Sequence, residues 1–205
     1  MFIENFTKHI STFSTSPFLF IGSGFSRRYL GLPTWELLLM ELCEDLKLNK
    51  PYNYYKSNAD SKLPKIATII GEEFNDVWWS SSDYGESRDA FEALATTKFS
   101  PLKYEVAKKI DSKTDLIKDE LLERELKLLK KTNIDGVITT NWDQLLERTF
   151  ADFNKFVGQE ELIFSELYSI GEIYKIHGCA SKPNSLVITD EDYHLVSHIR
   201  FRIKE

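Results

Sequence analysis

The stretch from Pro17 to Trp35 constrains the fold more than any other part of the chain. A short apolar run, Phe18 to Ile21, breaks into Gly22-Ser23-Gly24, and an amphipathic helix follows from Thr34. Strand, glycine turn and helix in that order is how α/β proteins hold a diphosphate. The glycines let backbone N–H groups approach the phosphates, and a helix N-terminus nearby adds partial positive charge. A Gly-x-Gly after a strand is equally a tight turn with no ligand, and the third glycine of the dinucleotide fingerprint is missing here. What the turn means therefore depends on what else the chain delivers to the same place.

The periodicity of the apolar residues supplies the rest of the frame. Phe2, Phe6, Ile10 and Phe13 predict a helix over residues 1–15, ahead of the strand at 18–21. A helix over 35–46 has Thr34 as its N-cap and Trp35, Leu38, Leu39, Leu42 and Leu46 as one stripe. Residues 49–132 change character and read as a helical insertion between two strands. Within it we expect a loop over 49–65, short helices over 64–74 and 87–97, and a charged helix over 115–131. Strand character returns at 136–139, followed by a helix over 143–150. Further strands are expected at 162–164, 172–176 and 186–188, and a last helix at 191–198 with Asp190 as N-cap. Strands alternating with helices predict an α/β, Rossmann-like, mostly parallel sheet with helices on both faces.

Composition narrows the function classes. The 205 residues fit one domain, and 42% hydrophobic content suffices for a core. A net charge of −6 with no basic stripe argues against nucleic-acid binding. The pairs Lys108-Lys109 and Lys130-Lys131 read as solvated helix faces. Two cysteines, Cys43 and Cys179, are too few for a four-ligand zinc site or a disulfide scaffold, so no metal is expected and a reducing cytoplasm is the expected location. No apolar run approaches the ~20 residues that span a bilayer. The N-terminal helix, interrupted by Glu4 and Lys8, lacks the continuous apolar region of a signal peptide and offers either a core face or an oligomer interface. Tyr52, Tyr54, Tyr55 and Trp78-Trp79 read as packing.

Ligands of open parallel sheets sit beyond the carboxyl ends of the strands. Three expected strands deliver polar groups there: Gly22-Ser23-Gly24 with Ser26 after the first, Thr139-Thr140-Asn141-Trp142-Asp143 after the next, and His177-Gly178 after a later one. Singly, Asn141 and Asp143 are equally well explained as caps of the following helix, and His177 as a hydrogen-bonded structural histidine. Their arrival in this order, each at a strand end, favours a shared site. His194 and His198 fall on the last helix as surface residues, and His9 lies in the first helix.

With these segments the chain resembles the sirtuin superfamily. Gly22-Ser-Gly-Phe-Ser26 with Gly31-Leu-Pro33, Thr139-Thr-Asn-Trp-Asp143, and Lys175-Ile-His177-Gly178 are similar to that family's Gly-Ala-Gly-x-Ser with Gly-Ile-Pro, its Thr-Gln-Asn-x-Asp and its His-Gly. The likeness spans about Phe18 to Gly178. Thr34-Trp35-Glu36 replaces the family's Asp-Phe-Arg, Thr140 its glutamine, and of the four-cysteine zinc module only Cys179 is present. A zinc-free core with a helical insertion, together with the Ile188-Thr189-Asp190-Glu191-Asp192-Tyr193 segment, looks like the sirtuin-like NAD hydrolases of bacterial antiphage defence, such as the Thoeris effector and the defence-associated sirtuins. The family's closing strand and Gly-Tyr-Ser-rich loop have no counterpart before Glu205. Residues 1–205 are therefore expected to be a sirtuin-like NAD-binding domain that is C-terminally incomplete or part of a longer protein.

The resemblance implies that NAD is the substrate, with no metal. Asn141 and His177 would be catalytic, Asn141 orienting the ribose or a water and His177 accepting a proton. Gly22, Ser23, Gly24 and Phe25 would cradle the diphosphate with a hydrogen bond from Ser26. Asp143 would accept from the nicotinamide carboxamide, and Pro33, Trp35, Thr139, Thr140 and Gly178 would complete the cofactor site. The implied activity is cleavage of the nicotinamide–ribose bond to ADP-ribose or its cyclic form in an antiphage effector. Such an effector would act as a homo-oligomer regulated by a C-terminal sensor region or a partner protein. Two other readings stay open: an NAD-dependent protein deacylase, and a module that senses NAD or ADP-ribose without catalysis.

Overall fold

Four short strands, β1 (Phe18–Ile21), β2 (Gly136–Thr139), β3 (Asn154–Val157) and β4 (Glu172–Lys175), form one parallel sheet in the order β1-β2-β4-β3. The computed structural model describes residues 1–158 and 171–198. In register, Ile21 pairs with Thr139, Thr139 with Lys175 and Lys175 with Val157, so all four carboxyl ends finish level. Parallel neighbours need long crossovers. The one from β1 to β2 carries most of the helical content.

Side chains alternate across the sheet. Leu19, Ile21, Val137 and Ile173 point into a core closed by Phe25, Leu129, Leu146, Phe150 and Phe153. On the other face Phe18, Phe20, Ile138, Tyr174 and Phe156 are exposed or half-buried. There the Tyr174 ring stacks on Phe18 at 6.1 Å and on Phe156 at 5.4 Å. The described helices that pack on the sheet thus cover one face. The strand expected at 162–164 lies outside the described residues.

The described helices are α1 (Phe2–Ile10), α2 (Ser23–Leu30), α3 (Trp35–Asp45), α4 (Tyr52–Asn58), α5 (Leu63–Ser80), α6 (Gly85–Phe91), α7 (Ser100–Asp111), α8 (Glu120–Leu129), α9 (Leu145–Thr149) and α10 (Asp190–His198). The amphipathic α1 forms as expected, but none of its residues is buried. Thr34 caps α3, its Oγ1 accepting from Leu37 N at 3.2 Å. No described helix is long and apolar enough to cross a membrane.

Several expectations need correction. The segment after Gly22 is helical at once: α2 begins at Ser23 and stops at Gly31, whose left-handed φ of 64° terminates it. Residues 52–58, expected as loop, form α4, because burying Tyr55 in the main core outweighs their loop-like composition. Helix α5 runs on to Ser80, since Ile66, Ile70, Phe74 and Trp78 recur every four residues and are all fully buried. Helix α7 was not anticipated. Pro101 sits in its first turn, and Leu102, Val106 and Ile110 face inward. Helix α8 starts only at Glu120, where Asp119 accepts from Leu121 N and Leu122 N.

Residues 186–188 are buried but join no strand; their one ladder-like bond is Val187 N to the His177 carbonyl at 3.0 Å. The cap of α10 is Thr189 rather than Asp190. Asp192 Oδ2 accepts from Ile188 N and Thr189 N, while Thr189 Oγ1 accepts from Asp192 N, a reciprocal box. Lys109 is not solvated either: it bridges α7 to Glu41 and Asp45 of α3. The larger core joins α3, α4, α5 and α7 to Leu145, Ala180, Leu186 and Ile188, so the helical block packs directly against the loops beyond β2 and β4.

Candidate active site

The level strand ends bring the three motifs out side by side: Gly22 after β1, Thr140 after β2, Ile176 and His177 after β4. Gly22 has φ −107° and ψ −175°, an extended conformation open to any residue. A Cβ on Gly22 or Gly24 would meet no atom within 4 Å. Neither backbone strain nor packing within the chain accounts for these two glycines. What they leave is open space at the N-terminus of α2, where the N–H groups of Ser23 and Gly24 have no intrahelical acceptor. The N–H of Phe25 is turned back to the Gly22 carbonyl at 3.0 Å, and its half-buried ring packs on Tyr29 at 4.7 Å. Helix α2 is held in place by Arg28, which pairs with Glu125 of α8 through Nε at 2.8 Å and Nη2 at 2.6 Å.

Behind the glycines lies a buried polar network. Ser26 Oγ donates to Asp143 Oδ2 at 2.5 Å and accepts from Asn141 Nδ2 at 2.8 Å. Asn141 Nδ2 also donates to the Gly22 carbonyl at 3.0 Å. Thr139 Oγ1 donates to the Ile21 carbonyl at 2.8 Å and accepts from Asn141 N at 3.0 Å, clasping the ends of β1 and β2. Asp143 Oδ1 accepts from Leu145 N at 3.0 Å, a side-chain turn one residue ahead of the N-cap, which is Gln144 rather than Asp143. Ser26, Asn141 and Asp143, distant in sequence, thus form one unit, with Asn141 and Asp143 each only 5% exposed. Ser26 directs its hydroxyl hydrogen to Asp143. Asn141 Oδ1 is buried and accepts from no group among the described residues.

His177 stands on the same rim. Its imidazole meets the Tyr193 ring edge-on at 5.5 Å, Tyr193 stacks on Trp35 at 5.6 Å, and Trp35 meets Trp142 edge-on at 6.5 Å. An aromatic chain thus runs from His177 to the residue between Asn141 and Asp143. The indole Nε1 of both Trp35 and Trp142 is buried without a partner. Burial holds the His177 pKa below its ordinary 6.5, favouring the neutral imidazole, and raises that of Tyr193. Gly178 is required by the turn itself: its φ is 87°, and a Cβ there would lie 2.1 Å from the Ser185 carbonyl oxygen. Pro33 and Thr140 are half-buried at the same end of the sheet. Two cavities of about 310 and 250 Å³ lie elsewhere, the first between α8 and α9 around Leu126 and Leu145, the second between α3 and α7 around Leu46 and Lys109.

Tyr193 and Trp142 take part in this rim without having been assigned a role from sequence. Trp142 lies inside a recognised motif, and an Asp192-Tyr193 pair one turn into a capped helix was a readable signal. Lys175 stands in the third motif but carries no role from sequence.

The family model of the SIR2-like domain matches residues 135–203, which include the second and third motifs. Over 197 residues the chain is 22% identical to the NAD(+) hydrolase ThsA of Bacillus cereus (strain MSX-D12), a match covering 94% of this chain and 34% of that protein. The chain spans about a third of the length of this curated relative. The comparisons thus show a likeness to the SIR2-like domain over the C-terminal third and a distant likeness to one NAD(+) hydrolase over most of the chain.

Proposed function

We propose that this domain is an NAD⁺ glycohydrolase, cleaving the bond between nicotinamide and ribose. The observation that carries the reading is the unpartnered Oδ1 of Asn141, a buried acceptor whose amide is bonded to the carbonyl of Gly22, on the rim that has open space at Gly22 and Gly24 and also bears a neutral His177. A buried acceptor without a donor is costly, and a ribose hydroxyl or a water supplies that donor.

The bond to be broken joins C1′ to a positively charged ring nitrogen. Its electron pair returns to the ring as the C–N bond breaks, so nicotinamide departs neutral and needs no strong acid. Charge develops on the ribose as an oxocarbenium-like centre. The protein's task is to hold the diphosphate, shield the ribose and orient the nucleophile. The N–H groups of Ser23 and Gly24 at the start of α2 would receive the diphosphate. Asn141 Oδ1 would take a hydrogen bond from a ribose hydroxyl or the attacking water. As the water oxygen bonds to C1′, its proton passes to His177 and then to solvent, giving ADP-ribose. The Ser26–Asn141–Asp143 network fixes the asparagine, and the rings of Trp35, Trp142 and Tyr193 would wall off the nicotinamide. Attack by an adenine nitrogen of the same molecule instead of water gives the cyclic product. The role in antiphage defence, oligomeric assembly and regulation by a C-terminal region rest on the resemblance.

Incubating the purified chain with NAD⁺, with and without an acetylated peptide, and resolving products by HPLC and mass spectrometry tests the reading. Nicotinamide released without peptide supports it. Release only with peptide would assign a deacylase, and calorimetric binding of NAD⁺ with no release would assign a sensing module.

A further inference from the structure

Beneath the motif rim lies an ion pair that the proposed chemistry does not use. Lys175 ends β4 and is 0% exposed. Its Nζ donates to Glu147 Oε1 of α9 at 2.9 Å and to the main-chain carbonyl of Asp143. The same carboxylate oxygen takes the Cys179 thiol at 3.6 Å and lies 3.9 Å from Lys155 Nζ, while Oε2 has no hydrogen-bond partner among the described residues. The ammonium therefore joins β4 to the loop carrying Asn141 and Asp143 and to the helix after it, and the Glu147 carboxylate adds the turn that follows His177 through Cys179. A second clasp links the two loops, Ala180 N donating to the Trp142 carbonyl at 2.8 Å.

Taking a lysine and a glutamate out of water consumes most of what their attraction returns, and apolar replacements are often as stable. Fold stability thus gives little reason for this pair beside Val137 and Ile173, which are fully buried and apolar. What the ammonium supplies is direction: it fixes the Asp143 peptide plane, and with it where Asn141 stands relative to His177.

We propose that Lys175, held by Glu147, is a positioning residue that sets the Asn141–Asp143 loop against His177, and that turnover depends on it. This rests on the glycohydrolase reading for its kinetic consequence but not for its structural one. The test uses the full chain, with Lys175→Met, Glu147→Gln and the double variant, each followed by thermal melting, hydrogen exchange and steady-state nicotinamide release.

The double variant is expected to melt close to the parent. Amide exchange in peptides covering residues 140–145 should rise at least about tenfold while β1 and α5 stay protected. kcat should fall about tenfold or more with KM within about twofold. Unchanged exchange in that loop overturns the proposal, as does a loosened loop with unchanged kcat. A uniform loss of protection would show a merely structural role and overturn it too. If the double variant fails to fold, Glu147→Gln, which keeps the ammonium, decides by the same exchange and kcat readings at smaller amplitude. A parent chain that releases no nicotinamide defeats the glycohydrolase reading, and the exchange data then judge the positioning alone.

Discussion

Two buried regions of the molecule contain polar atoms without partners, and they differ in what surrounds them. In the helical block the indole Nε1 of Trp78 has no acceptor, but the side chain is fully enclosed in the core that α5 shares with α3, α4 and α7. At the sheet edge Asn141 Oδ1, Trp35 Nε1 and Trp142 Nε1 are equally unpartnered among the described residues, yet the Asn141 amide is bonded to the carbonyl of Gly22, and at Gly22 and Gly24 a Cβ would meet nothing. In the closed core, packing of a large ring offsets one lost hydrogen bond. At the edge open space lies at the glycine to which Asn141 is bonded, which is where a ligand can supply what the chain does not. An orphaned polar atom points to function only when room lies beside it.

The largest expected effects separate the two regions. Asn141→Ala and His177→Ala should each lower nicotinamide release by about 100-fold or more, the range typical of lost general acid–base groups or orienting contacts. His177→Ala should melt close to the parent, whereas Asn141→Ala should lose about 1–3 kcal/mol with the two buried hydrogen bonds of its amide. Trp78→Ala should do the reverse first, removing about 3–5 kcal/mol of stability by opening a cavity in the helical core. A chemical denaturation curve checks this. Activity in Trp78→Ala should fall only in proportion to the folded fraction. Full turnover by both edge variants would erase the distinction.

Gly24→Ala sharpens the contrast at an intermediate size. The new methyl meets no protein atom, and alanine is the better helix former by up to about 1 kcal/mol, so the variant should be as stable as the parent or more so. Its methyl would project into the space assigned to the diphosphate. NAD⁺ affinity by calorimetry should therefore weaken by about tenfold or more, the size of a lost close backbone contact. A variant that gains stability and binds NAD⁺ normally would show that the space at the start of α2 is not the cradle.

The same contrast explains what the chain discloses when read as letters. The edge was legible because its parts are short, local and chemically unusual: glycines after a strand, an asparagine and aspartate two apart at the next strand end, a histidine-glycine pair at a third. Each obeys a rule that spans a few residues. The helical block was poorly legible for the opposite reason. Helix α4 contains Tyr-Asn-Tyr-Tyr-Lys-Ser-Asn and exists because Tyr55 reaches a core built by residues far away, a tertiary effect that propensity does not carry. Helix α2 was hidden because its glycines and serines read as a turn, whereas Tyr29 and Leu30 at its end bury themselves and pull the segment into a helix. The Lys175–Glu147 pair was invisible because its partners come from separate elements. Only the pairing of β2 with β4 brings them together.

The smallest expected effect is in pH, and its sign follows from where His177 sits. Burial disfavours the charged imidazole, so the folded pKa lies below the ordinary 6.5 of the unfolded chain. Between those two values the unfolded state binds more protons, so stability contributed by neutral His177 is fully present above 6.5 and declines as pH falls toward the folded pKa. Chemistry follows the same group: as proton acceptor it works when neutral, which places the acidic limb of the pH–rate profile below 6.5. His177→Gln should remove this group's share of the acid destabilisation together with the activity. Tyr193→Leu, which removes the ring beside the imidazole and lets water nearer, should move the acidic limb upward toward 6.5. An acidic limb already above 6.5 in the parent would mean that the imidazole is stabilised in its charged form, and would take the proton-acceptor role away from it.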